Sequence, residues 1–140
     1  GVILLLTIGN IISSSSISST NFPPISVIVA IRNGEKSLPY LIDNLLSQHY
    51  LGIHEFILVD DESDDQTSKI IKDISKKDNR FIYENSINGD EFLYMKKRAL
   101  DAGIKRAKND WLLFTDVDCS PPNPPKTTFI IDLFIPLLMI

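Results

Sequence analysis

Asp116 and Asp118 are two carboxylates separated by one residue, at the end of the apolar run Trp111-Leu112-Leu113-Phe114-Thr115. In extended backbone successive side chains alternate faces, so this spacing points both carboxylates the same way and turns Val117 back. Two hard oxygen donors at a strand end suit a divalent cation such as Mg²⁺ or Mn²⁺. Such a cation would let an acidic pocket hold a phosphate-bearing ligand. A second acidic pair, Asp60-Asp61, ends another apolar run, and Lys96-Lys97-Arg98 forms a local basic cluster.

Those groups act together only if the chain brings them together. Residues 25–31 form a continuous β-branched and apolar run, expected as a strand buried on both faces. Arg32-Asn33-Gly34 breaks it, and Leu38, Leu41, Ile42, Leu45 and Leu46 recur at helical spacing with Pro39 in the first turn. Residues 55–59 read as a second strand. Ser63-Asp64-Asp65-Gln66 has the form of a capping box, with Ser63 capping the amide of Gln66. A helix carrying Ile70, Ile71 and Ile74 follows and ends near Lys76-Lys77, where base suits the macrodipole. Residues 80–84 read as a third strand and Asn88-Gly89 as a loop. Residues 95–107 read as a helix with Leu100, Gly103, Ile104 and Ala107 on one face, and residues 111–115 as a fourth strand.

Three strand–helix units and a closing strand place the chain in the α/β class, with a parallel sheet and helices on both faces. In such sheets ligands bind outside the carboxyl ends of the strands. Those ends carry Arg32-Asn33, Asp60-Asp61, Glu84-Asn85 and Asp116-Val117-Asp118, so polar and acidic groups from distant parts of the chain are expected along one edge. Two like charges ~4 Å apart repel by about 1 kcal/mol in water and roughly 4 at an effective dielectric near 20. An acidic edge beside a diphosphate would therefore oppose binding, and a cation on Asp118 with Asp116 close by reverses the sign locally.

The segments Ser26-Val27-Ile28-Val29-Ala30-Ile31-Arg32-Asn33-Gly34-Glu35, Ile57-Leu58-Val59-Asp60-Asp61-Glu62-Ser63-Asp64-Asp65 and Phe114-Thr115-Asp116-Val117-Asp118-Cys119 resemble, in order and spacing, the family 2 glycosyltransferases. The resemblance covers about residues 25–122. It implies a Rossmann-like GT-A sheet, truncated after the Asp-x-Asp motif, and an inverting transfer from a nucleoside-diphosphate sugar, UDP- or GDP-linked, assisted by Mn²⁺ or Mg²⁺. It also implies that Ala30, Ile31 and Asn33 line the nucleoside pocket, that Asp60 or Asp61 contacts the base, and that Lys96 helps hold the nucleotide. Asp116 would face the ribose and metal, and Asp118 would bind the metal directly. The acceptor, a polysaccharide, lipid or protein glycan, is left open.

The sequence departs from that family in two places. Met95 stands where a glycine usually precedes the basic pair. Beyond Cys119, the family's acceptor half with its acidic base and its Gln-x-x-Arg-Trp motif has no counterpart. Residues 120–125 are instead proline-rich, and the tail 123–140 is largely apolar. On this reading the chain is an incomplete donor-binding half with no identifiable catalytic base. The alternatives are a nucleotide-binding remnant without turnover, a nucleotidyltransferase, and a phosphatase-like hydrolase. Arg32-Asn33-Gly34-Glu35-Lys36 is poor in glycine for a triphosphate loop, and Ser120 holds a position where the hydrolases usually place Thr or Val.

The net charge of −4 over 140 residues argues against a nucleic-acid surface. Cys119 is the single cysteine, which precludes an internal disulfide and fits a buried neutral thiol. Residues 1–12 are apolar apart from Thr7, Gly9 and Asn10, and begin at Gly1 rather than Met. A dozen helical residues cover roughly 18 Å against the ~30 Å of a hydrocarbon core. The segment is read as the stub of a membrane helix, with a signal-peptide core or a packed segment as alternatives, giving a cytoplasmic setting or the inner face of the cell membrane. Residues 13–24 have linker composition, rich in serine and closed by Pro23-Pro24. Asp64 and Asp65 read as a solvated helix start, His49 and His54 as structural, and Trp111 as core.

Overall fold

A computed structural model of the chain describes residues 23–47 and 53–117. Residues 1–22, His49, Asp118, Cys119 and the tail lie outside them. The elements are β1 (Ile25–Ile31), α1 (Leu38–Leu46), β2 (Ile53–Asp60), α2 (Thr67–Lys77), β3 (Phe81–Asn85), a 3-10 turn (Ser86–Asn88), α3 (Lys96–Arg106) and β4 (Trp111–Asp116). The four strands form one sheet in the order β3-β2-β1-β4, and every neighbouring pair is parallel. The expected α/β architecture is the observed one.

Strand alternation splits the interior in two. Ile25, Val27, Val29 and Ile31 of β1 pack with Phe56, Leu58 and Leu113 beneath α1 and α2. Ile28, Ile57, Val59 and Leu112 pack on the other face with Ala99 and Ala102 of α3. Both faces of β1 are therefore covered, which explains why its sequence is apolar except at Ser26. A side chain such as Ile28, fully buried, contributes about 1.5–3 kcal/mol. Phe56 and Phe81 stack with ring centroids 4.8 Å apart, tying β3 to β2. The small residues of α3 let that helix lie close to the sheet: a Cβ on Gly103 would stand 2.5 Å from Ile28 Cγ2 and 3.2 Å from Val59 Cγ2.

The amino-end edge of the sheet is fastened by a buried polar group. Ser26 Oγ donates to Glu55 Oε1 at 2.6 Å, and the backbone N–H of Lys108 donates to the same oxygen at 2.7 Å. Asn109 donates to Ser26 Oγ through its side-chain amide at 3.0 Å. Glu55 is 4% exposed, so these bonds offset the desolvation of its carboxylate and fix the return from α3 into β4.

Two local expectations are corrected. Ser63 does not cap α2: the helix starts at Thr67, and Ser63 Oγ accepts instead from the backbone N–H of Asn33, 30 residues away. A tertiary contact has taken the oxygen that a capping box would use. Trp111 is not core, being 39% exposed at the start of an edge strand. Among the described residues no helix is long and apolar enough to cross a membrane.

Gly103→Ala should destabilise the chain. The substitution gains up to about 1 kcal/mol of helix propensity, but overpacking against a stiff β-branched Ile typically costs 1–3 kcal/mol. Urea unfolding should give a lower midpoint with an unchanged slope; a higher midpoint would refute the close packing.

Candidate functional site

The register levels the carboxyl ends of the strands. Ile31 pairs with Asp60, Asp60 with Asn85, and Ala30 with Asp116. The chain steps from β1 to β2 to β3 in one direction and then crosses back to lay β4 on the far side of β1. That reversal is where open α/β sheets leave a crevice for a ligand. Alternation along β4 turns Leu112 and Phe114 toward α3 and packs Val117 on the α1/α2 side, as its position between the aspartates implied. Asp116 accordingly falls on the α3 side. Asp118, expected to share that face, is outside the described residues.

The loops after β1 and β2 are clasped together. Asn33 N–H donates to Ser63 Oγ at 3.0 Å, and Asn33 Oδ1 accepts from Asp64 N–H at 2.9 Å. Gly34 N–H donates to Thr67 Oγ1 at 2.8 Å and Glu35 N–H to Asp65 Oδ2 at 3.1 Å. Glu35 Oε2 in turn accepts from Gln66 N–H at 3.3 Å. The Asn33 side-chain oxygen thus helps to hold the second loop. Asp65 is more than a solvated helix start, because its carboxylate accepts from Glu35 and Thr67, whereas the Asp64 side chain is exposed as expected. Hydrogen bonds from the Thr67 hydroxyl, and then from the amides of Thr67 and Glu35, hold the Asp65 carboxyl below its usual range against the opposing effect of desolvation.

Asp60 closes β2 and Asp61 follows it, both largely buried at 4% and 7% exposed. Asp60 Oδ1 accepts from Ser63 N–H at 3.2 Å, which orients its carboxylate. Asp61 N–H donates to Ile31 O at 2.8 Å, carrying the β1–β2 pairing one residue past the strand. None of these loop bonds uses the Asp61 carboxylate.

At the start of α3, Lys96 Nζ makes an ion pair with Asp116 Oδ1. The residue before it, Met95, has φ 52° and ψ −137°, a region essentially reserved for glycine. This is the position where the sequence put Met in place of a glycine. Asn33 at φ 50° and Glu62 at φ 53° are the other non-glycine residues with positive φ among those described. All three lie in loops bordering the same sheet edge. Asn tolerates the left-handed region; Glu and Met adopt such backbone at a cost.

No group of three or more His, Cys, Asp or Glu among the described residues is arranged to hold a metal ion. What they do supply is Asp116, a hard oxygen donor at an exposed strand end that already holds a cation, the Lys96 ammonium. In donor chemistry that carboxylate fits Mg²⁺ or Mn²⁺. The sequence reading gave Ser63 only a local capping role and assigned none to Glu35 or Thr67, yet all three work through hydrogen bonds across two loops. The Arg-Asn-Gly turn was the one local signal of the conformation that Asn33 adopts.

Met95→Gly should raise stability by about 1 kcal/mol. Relief of 1–3 kcal/mol of backbone strain outweighs the 0.5–1 kcal/mol entropic cost of glycine, and the Met95 side chain, 74% exposed, gives up little burial. Chemical denaturation checks this, and a loss of stability would contradict the strain. The clasp should also be acid-sensitive. Because the folded pKa of Asp65 lies below its unfolded value, its contribution is complete above the unfolded pKa of about 3.9 and is lost as pH falls through the lower folded value. Unfolding midpoints measured down to about pH 2 should fall less steeply in Asp65→Asn than in the wild type.

The glycosyl transferase family 2 model matches residues 26–124. The chain is 34% identical over 110 residues to the 4,4'-diaponeurosporenoate glycosyltransferase of Staphylococcus haemolyticus, covering 79% of this chain and 28% of that protein. It is 30% identical over 115 residues to the undecaprenyl-phosphate 4-deoxy-4-formamido-L-arabinose transferase of Aeromonas hydrophila, covering 78% of this chain and 32% of that one. The chain thus spans about a third or less of the length of these relatives. Among solved structures, S. aureus TarS 1-349 in complex with UDP-GlcNAc aligns with a TM-score of 0.53 and 30% identity over 68% of this chain and 26% of that one. The mannosyltransferase PcManGT from Pyrobaculum calidifontis, in complex with GDP-Man and Mn²⁺, aligns with a TM-score of 0.60 and 23% identity over 74% of this chain and 30% of that one, a likeness of fold. With its parallel sheet, its ordered acidic strand ends and a family match over most of its length, this chain belongs to glycosyl transferase family 2, as a partial GT-A domain.

Proposed function

We propose that this chain forms the donor-binding part of an inverting glycosyltransferase that takes its sugar from a UDP- or GDP-linked donor. The observation that carries this reading is that Asp60 and the Lys96–Asp116 pair stand at the carboxyl ends of β2 and β4, flanking β1 at the edge where the strand order reverses. The TarS complex with UDP-GlcNAc supports a nucleotide-sugar ligand at 30% identity.

Each residue has a distinct part. The backbone of Ala30 and Ile31 borders the nucleoside, and Asn33 keeps the facing loop in place. Asp60, oriented by the Ser63 N–H, accepts from a base N–H. A carboxylate held by a second group makes the better reader, because its rotamer is fixed before the ligand arrives. That argument favours Asp60 over Asp61. Asp116 faces the ribose and, with Asp118, forms the metal site. Mn²⁺ or Mg²⁺ bound there would supply positive charge beside the departing diphosphate. Lys96, on a flexible stem with three donors, reaches the phosphates. The acceptor stays open; the Aeromonas relative, named for undecaprenyl phosphate, makes a lipid phosphate one class to try.

Calorimetric titration of the chain with UDP and with GDP, with and without Mn²⁺, tests this. One nucleotide should bind, Mn²⁺ should strengthen it, and Asp116→Asn should remove the metal dependence. A folded chain that binds neither nucleotide in Mn²⁺ would refute the reading. Turnover of a UDP- or GDP-sugar by the same chain separates an enzyme from a binding module.

A further inference from the structure

Lys96 and Asp116 are the first residue of α3 and the last of β4. Their side chains meet as an ion pair across 20 residues, yet each stays about half exposed, 54% and 53%. No other ion pair among the described residues engages either one. Of the other basic groups on α3, Arg98 Nη2 donates to Ile87 O at 2.9 Å, Lys105 pairs with Asp101 and Arg106 with Glu84, while Lys97 is exposed and enters no ion pair among the described residues. An ion pair this exposed adds little net stability, so it exchanges readily.

The same carboxylate is the described donor best suited to a divalent cation, and the same ammonium is the group best placed for a diphosphate. Both cannot act while they hold each other. We propose that Lys96 is an exchangeable counter-ion, which occupies Asp116 in the donor-free chain and leaves it for the diphosphate when the donor binds. The ammonium keeps an oxyanion partner throughout, carboxylate first and phosphate second, so its desolvation is compensated at each stage. The carboxylate exchanges one cation for another. A divalent cation arriving alone must compete with Lys96, whereas one arriving with the diphosphate does not. Metal and donor are therefore admitted together. This inference rests on the donor-binding reading above and adds to it an order of binding.

The test compares wild type, Lys96→Met and Lys96→Arg, each checked for folding by circular dichroism. Mn²⁺ alone is titrated first, followed by water proton relaxation; UDP and GDP are then titrated with and without Mn²⁺. Lys96→Met should bind Mn²⁺ alone roughly tenfold tighter or more, since removing one unit charge about 4 Å from a divalent cation gives roughly thirtyfold in water before salt screening. The same variant should bind nucleotide several-fold more weakly, and Lys96→Arg should follow the wild type in the metal titration. Opposite signs in the two titrations are the signature; a lysine with a merely structural role would weaken both. Mn²⁺ affinity in Lys96→Met equal to or below that of wild type overturns the inference even if wild type binds nucleotide normally. Failure of wild type to bind either nucleotide removes the donor reading, while the metal-alone comparison still decides whether Lys96 competes for Asp116. If Lys96→Met fails to fold, Lys96→Gln serves in its place.

Discussion

Every feature of the candidate site depends on the double pairing of β1. This strand is hydrogen-bonded to β2 on one side and to β4 on the other, and its side chains fill both interiors. Two ladders fixed to one strand place Asp60 and Asp116 at nearly the same height, beside Ile31 and Ala30. Because each face of β1 is committed to a different helix layer, a slip of one residue would exchange the two apolar sets and expose both. The burial that stabilises the sheet is thus also what aligns its polar tips.

Above that edge the acidic residues are held by amides more than by cations. Asp60, Asp65 and Glu35 all accept backbone N–H groups, and Asn33 exchanges bonds with the facing loop in both directions. Charge–amide bonds of this kind are stronger than neutral ones and do not require a buried cation. They let a chain with net charge −4 gather carboxylates on one side of the molecule without losing its loops. Gly34 completes the turn: its carbonyl accepts from Ser37 and Leu38, and a Cβ there would lie 2.5 Å from Ile31 Cγ2.

The elements of the fold were legible because burial writes a period into the sequence. The apolar run of β1, interrupted only by Ser26, and the stripes of α1 and α3 state which surfaces are covered, save that Leu46 at the end of the α1 stripe is exposed. The strands proved slightly longer than their apolar runs, with Asp60 and Asp116 included, because backbone pairing continues past the last hydrophobic side chain. What local reasoning missed was long-range. Ser63 fits a capping box in sequence, but its oxygen is taken by a loop 30 residues away. Trp111 looks like core until the sheet ends at β4 and leaves it on the rim. The Lys96–Asp116 pair could not be read from spacing, since nothing in the sequence states that the start of α3 and the end of β4 adjoin. Asp118 stays an expectation of the sequence alone.

The polar fastening at the opposite edge of the sheet, where Glu55 grips Lys108 and Ser26 holds Asn109, has a consequence for evolution of the site. It makes β4 a ruler anchored at the far end, along which Asp116 is reached by counting residues. Adding or deleting one residue between that anchor and Asp116 would displace the carboxylate by about 3.3 Å and rotate it to the wrong side. Side-chain changes along this segment should therefore be tolerated better than any change in its length.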